Sequence, residues 1–166
     1  GSNTYFCANG IIGADRTVHP QYYEVQKVYA PVQTLAVNPD SGSFTVKNKM
    51  LFTNINALEC RWQIEVGGRL LMHGKLEPID CPPLSEVTVS LPYTMDQVTG
   101  DGMAVLTVSF ATTRALPGLA SGFTFAWDQF VLRPMPQPVA EKDGGDLHYD
   151  HRGNRVEVQG ADFDLT

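Results

Sequence analysis

The chain has 166 residues, 43% hydrophobic and 18% charged, with a net charge of −6 and a sequence pI near 5.1. That composition suits one medium domain with extensions, not two full domains, and the absence of any Lys/Arg cluster argues against nucleic acid as a partner. No apolar run approaches the ~18–20 residues of a membrane span and no secretory signal is recognisable, so a cytoplasmic or a periplasmic location fits equally; the three cysteines, Cys7, Cys60 and Cys81, have neither metal nor disulfide-framework spacing.

Residues 2–18 read as an irregular loop, broken at Asn9-Gly10 and Gly13. The loop is apolar at Tyr5, Phe6, Ile11 and Ile12, so it is expected to pack against something. A helix is expected next, capped by Thr17 or His19, with Pro20 in its first turn. Its apolar face is Tyr22, Val25, Val28 and Tyr29 by three-four spacing, and Pro31 ends it. From Val32 the hydrophobic period becomes two. Strands are expected over 32–37, 44–52, 58–66, 69–76, 86–91, 104–111 and 123–132. The clearest is LECRWQIEV at 58–66. There Leu58, Cys60, Trp62, Ile64 and Val66 face one way, and Glu59, Arg61, Gln63 and Glu65 the other. Gly67-Gly68 is the length and type of a tight hairpin turn. Phe123, Phe125 and Trp127 are expected on one face of the last strand. Six or seven short strands with turns every ten or so residues point to an all-β fold, an immunoglobulin-like (fibronectin III-like) antiparallel β-sandwich. Residues 135–145, with Pro136 and Pro138, read as a linker. Residues 146–166 are strand-like around an Arg152-Gly153-Asn154 turn, too few to bury a core of their own.

The phrase Phe6-Cys7-Ala8-Asn9-Gly10-Ile11-Ile12-Gly13-Ala14-Asp15-Arg16-Thr17-Val18-His19-Pro20 resembles a stretch of the large β-galactosidases of glycoside hydrolase family 2. There it closes the catalytic (β/α)8 barrel and leads into its last helix. Val18 departs from the family, which usually has proline at that point. The strand at 58–66 is similar to the L-x-W strand of the family's immunoglobulin-like domain, and Phe125-Ala126-Trp127-Asp128-Gln129-Phe130 to that domain's closing strand. Residues 154–166 resemble the first strand of the C-terminal sandwich. The resemblance implies four parts: 1–31 as the barrel's tail with one helix left over from it, 32–134 as the sandwich, 135–145 as the linker, and 146–166 as an incomplete C-terminal domain. It implies a non-catalytic fragment of an enzyme that hydrolyses terminal non-reducing β-D-galactose residues with retention, since the family's two glutamates lie upstream of Phe6. The sandwich is then a spacer, its partners are the rest of the parent polypeptide, and the parent's chains often form homo-oligomers. The alternative is a stand-alone carbohydrate-binding or adhesive β-sandwich module.

By the same resemblance, Phe6 and Asn9 are sodium ligands in the intact parent, through a backbone carbonyl and a side-chain oxygen. Oxygen donors suit a hard cation. Sodium and magnesium are expected in the parent and no cofactor in the fragment. The other candidates have plainer readings. Glu59, Glu65, Glu77 and Glu86 are expected on wet faces or loop edges, as solvated carboxylates. Asp15 and Arg16 are expected in a buried structural charge network. His148, Tyr149, Asp150 and His151 include metal-type side chains without a third ligand cluster. His19 and His73 have no nucleophile beside them. Trp62 and Trp127 are both expected on dry faces, as core side chains and not as a sugar platform.

Overall fold

The computed structural model describes residues 10–137, 146–161 and 163–166. They fall in two compact units, one reaching to Met135 and the other starting at Pro136.

The first unit opens with helix α1 (Gln21–Val28), followed by β1 (Val32–Asn38), β2 (Ser43–Asn48), β3 (Leu58–Val66), β4 (Arg69–Lys75), β5 (Glu86–Ser90), β6 (Ala104–Thr112) and β7 (Thr124–Arg133). The strands form two antiparallel sheets, ordered β1-β2-β5 and β4-β3-β6-β7. This is an antiparallel sandwich of the kind expected, with three strands facing four. Strand β3 lies in the middle of its sheet and alternates buried and half-buried along its whole length, because each second side chain faces the opposing sheet. Gly67 and Gly68, at φ 56° and 75°, make the tight turn into β4 that a mirror-image hairpin turn demands.

The core is the space between the sheets. Phe44 of β2 stacks on Phe130 of β7 with ring centroids 4.9 Å apart, and Trp62 of β3 lies 6.2 Å from Tyr93. Trp62 is 6% exposed, and Ile64, Leu106, Val108 and Phe110 are buried around it. Gly74 of β4 lies beside the indole: a Cβ there would stand 2.9 Å from its Nε1. The Cys60 thiol is buried in this core, and burial pushes its pKa up from 9.0 to about 12. It behaves as a small hydrophobe.

Two expectations need correction, and the apolar face of α1 is only partly covered. No side chain caps α1: its N-cap is Pro20, and His19 instead meets the Gly10 carbonyl through Nδ1 at 2.6 Å. On that face Tyr22 and Val25 are half-buried, but Val28 and Tyr29 are 71% and 80% exposed. Finally, the pairing of β6 with β7 slips between Phe110 and Ala111, where Ala126 and Thr124 are the successive partners. Phe125 is the extra residue of this bulge, and a one-residue insertion exchanges the faces of everything beyond it. Ala126, Asp128 and Phe130 therefore point to the core side and Trp127 to the outer face, opposite Ser109.

The second unit contains β8 (His148–Arg152), β9 (Arg155–Gln159) and β10 (Asp164–Leu165) in one sheet ordered β10-β9-β8. Gly153 has φ 62° in the β8–β9 turn. Its described side chains are exposed or half-buried throughout, as expected of a piece too short to close a core.

Candidate functional site

One polar group that orders the first unit is Asp128. It sits on the inward side of β7, which is an edge strand of the four-stranded sheet. Facing it across the sandwich is β1, an edge strand of the other sheet. The Oδ2 atom of Asp128 accepts the Thr34 backbone N–H at 2.5 Å, and Oδ1 takes the Lys27 ammonium, also at 2.5 Å. The same ammonium donates to the Trp127 carbonyl and lies 5.6 Å from the centroid of the Trp127 ring. One carboxylate thus joins three elements: α1 through Lys27, β1 through Thr34 and β7 through its own backbone. The Asp128 side chain is 17% exposed and that of Lys27 39%. The pair is therefore shielded enough to hold its geometry while the ammonium keeps contact with water. The arrangement also closes two sheet edges, since the open Trp127 carbonyl and Thr34 N–H are both engaged.

A second polar centre is Asn48, 1% exposed. Its Nδ2 donates to the carbonyls of Thr53 at 2.9 Å, Cys81 at 2.9 Å and Pro82 at 3.0 Å. Its Oδ1 accepts from the Met50 N–H at 3.0 Å. A third is Arg133, which donates to Gly102, Val98 and Gly100 carbonyls at 3.2, 3.1 and 2.5 Å and so fixes the loop before β6. Sequence reasoning missed all three. Arg133, between Leu132 and Pro134, carried a signal as a charged group among apolar neighbours; Asn48, between Lys47 and Lys49, carried none.

Register defines two poles. At one, β1 begins at Val32 opposite Asn48, and β3 begins at Leu58 opposite Thr112. At the other, Val66 pairs with Ala104 and Ala104 with Arg133. The chain enters the sandwich at the first pole and leaves it at the second.

The sequence candidates lie apart from one another. Phe6 and Asn9 fall outside the described residues, as does Cys7. Asp15 is exposed and not in a buried network with Arg16. It accepts from the Thr17 N–H at 3.0 Å and the Thr17 hydroxyl at 2.7 Å, and these bonds lower its pKa. Glu59 lies on the outer face between Lys75, at 2.6 Å, and Arg61, whose hydrogen bonds lower its pKa. Glu65 is near the Gln63 amide, 3.4 Å away, while Glu77 and Glu86 are exposed. His148 and His151 are exposed on β8, and Asp150 pairs with Arg152 at 2.8 Å. Among the described residues, no three His, Cys, Asp or Glu side chains converge as metal ligands, and no helix is long and apolar enough to cross a membrane. Trp62 is in the core as expected. Trp127 is the correction: it is half-buried on the outer face, with one side taken by Lys27.

Fold and ion pair thus describe an antiparallel β-sandwich joined at its edges, without a convergent group of acids among the described residues. Comparison with known proteins gives the family. The sequence model described as "Beta-galactosidase, domain 4" matches residues 44–133, and the chain belongs to this family. It is 36% identical over 163 residues to a β-galactosidase of Priestia megaterium, covering 95% of this chain and 15% of that protein. It is 28% identical over 158 residues to one of Clostridium acetobutylicum, covering 95% and 17%. It is 31% identical over 127 residues to one of Yersinia enterocolitica, covering 76% and 12%. The chain thus spans less than a fifth of the length of these relatives.

Proposed function

We propose that this chain is a non-catalytic spacer in a β-galactosidase polypeptide that hydrolyses terminal β-D-galactosides, and that it holds the parts on either side of it at a fixed relation. The observation that carries this reading is the latch at Asp128. It fastens the incoming helix to both sheets, and the chain then runs to the opposite pole before leaving. A spacer needs that rigidity between its attachment points. Retaining glycosidases work with two carboxyls ~5–5.5 Å apart in a cleft, whereas Glu59 is held on the outer face by Lys75 and Arg61 and Asp15 by Thr17. The exposed Tyr23, Val28 and Tyr29 of α1 suit a helix whose outer side is covered by a preceding body of the same polypeptide. In that longer chain Phe6 and Asn9 supply oxygen donors for sodium, by the resemblance described above; the spacer role does not depend on the ion.

The test is turnover of a chromogenic β-galactoside by the purified 166-residue chain. None is expected, and activity that co-purifies with the chain and survives further fractionation would overturn the reading. One observation favours a carbohydrate-binding module instead: the outer-face position of Trp127. Galactoside titration followed by tryptophan fluorescence separates the two. A saturable quench lost in Trp127→Phe supports the module, and an unresponsive spectrum supports the spacer.

A further inference from the structure

The short loop after β2 displays two large apolar side chains to water. Leu51 is 62% exposed and Phe52 92% exposed. This is not a slack segment. The buried Asn48 amide holds both of its ends, taking the Met50 N–H on one side and the Thr53 carbonyl on the other, and the next residue, Lys49, donates to the Pro31 carbonyl at 2.9 Å. Beside the loop lies an apolar groove of about 230 Å³, lined by Met50, Leu58, Thr112, Leu116 and Phe125, with Arg114 among its walls. No acidic side chain lines it. Among the described residues Arg114 makes no ion pair. A rigid loop that exposes an unburied phenyl ring next to an apolar groove is an interaction surface by its energetics, because each such side chain gains from removal from water.

We propose that Leu51, Phe52 and the groove beside them form a docking surface. Its occupant is the part of the same polypeptide that precedes this chain in the longer protein, through an apolar side chain flanked by a carboxylate that meets Arg114. Two features select this occupant. The surface lies at the pole where the chain enters the sandwich, and the Lys49–Pro31 bond ties its loop to the segment just after α1, whose Val28 and Tyr29 are also exposed. The groove also offers a cation and no anion, which suits an acidic partner and disfavours a second copy of the same cationic face. The match to the Priestia megaterium relative covers 15% of that protein, so most of that relative's length lies outside the matched part. The proposal rests on the spacer reading and adds a second point of attachment to the Asp128 latch.

The test compares backbone hydrogen exchange of residues 50–53 in the 166-residue chain and in the full-length parent. Exchange is expected to be roughly ten- to a hundredfold slower in the parent, the factor that burying one large apolar side chain supports. Phe52→Asp and Arg114→Glu, made in the parent, should each remove most of that protection. Neither should shift the unfolding midpoint of the 166-residue chain, where both side chains face solvent or the groove mouth. Equal exchange in both proteins overturns the docking surface. If exchange is equal at 50–53 while Tyr29 and its neighbours are protected in the parent, the spacer reading stands and this surface does not. If neither region is protected, both fail. A concentration-dependent dimer of the 166-residue chain that Phe52→Asp abolishes would assign the surface to a second copy and overturn the proposal.

Discussion

Replacing Asp128 by alanine should cost the first unit about 1–4 kcal/mol. The larger part comes from Thr34. Its residue is 3% exposed, and its backbone N–H loses the Oδ2 acceptor at 2.5 Å; a buried donor left without a partner costs ~1–3 kcal/mol. The smaller part is the ion pair to Lys27. That ammonium is 39% exposed, so it returns to water with a loss of only ~0–1 kcal/mol. For a domain near 100 residues, ~1 kcal/mol moves the midpoint by about 4 °C or more, so a fall of roughly 4–16 °C is expected by far-UV circular dichroism. Asp128→Asn separates the two contributions. An amide oxygen still accepts from Thr34, so this variant should lose ~1 kcal/mol or less. Lys27→Met should likewise lose ~1 kcal/mol or less, and a double-mutant cycle with Asp128→Ala should return a coupling of that size. The reasoning fails if Asp128→Ala costs under ~0.5 kcal/mol, or if Asp128→Asn is as damaging as Asp128→Ala. The second result would mean that charge, not the bond to β1, holds the edges together.

Three further outcomes follow from the packing. Gly74→Ala places a methyl 2.9–3.0 Å from the Trp62 indole and should destabilise by ~1–3 kcal/mol in urea titrations, with part of the loss recovered in a Trp62→Phe background. Asn48→Ala removes the partner of three carbonyls and one N–H and should cost ~3–5 kcal/mol, the range for breaking a buried network; a loss below ~1 kcal/mol would show that water replaces the amide freely. Stability should fall at alkaline pH. Burial raises Cys60 from 9.0 to about 12, and burial, then the Asp40 charge, raises Tyr93 from 10.0 to about 12. The unfolded chain therefore releases these protons first, from about pH 9 and 10 upward. The stability each group contributes is complete below those values and is lost as pH rises toward 12, at up to ~1.4 kcal/mol per pH unit per group. Cys60→Ala should flatten the onset near pH 9, measured by urea midpoints across pH 8–11; an unchanged slope would refute the assignment.

The local pattern carries a good deal of this protein. Strict alternation over 58–66 places Trp62 inside before any contact is known, because a pleated strand has a period of two and allows no other placement for five apolar residues in nine. Gly67-Gly68 announces its hairpin because few residues tolerate positive φ in succession. Local pattern fails where an effect is not local. The bulge at Phe125 cannot be read from alternating aromatics, since it exists only in the pairing of β7 with β6, and it decides that Trp127 faces outward and Asp128 inward. The apolar stripe of α1 is legible, but its solvent exposure is not, since a stripe says that something covers it and not what does.

The residues therefore dictate two facing sheets, their turns and the side chains between them, all of which follow from periodicity and backbone sterics. Which polar groups join the sheets is a different kind of fact. Asp128 reaches Thr34 across 94 residues of chain and Lys27 across 101, and Asn48 reaches Cys81 across 33. Such partners meet only once the strands have paired in register, so the latch belongs to the tertiary structure alone.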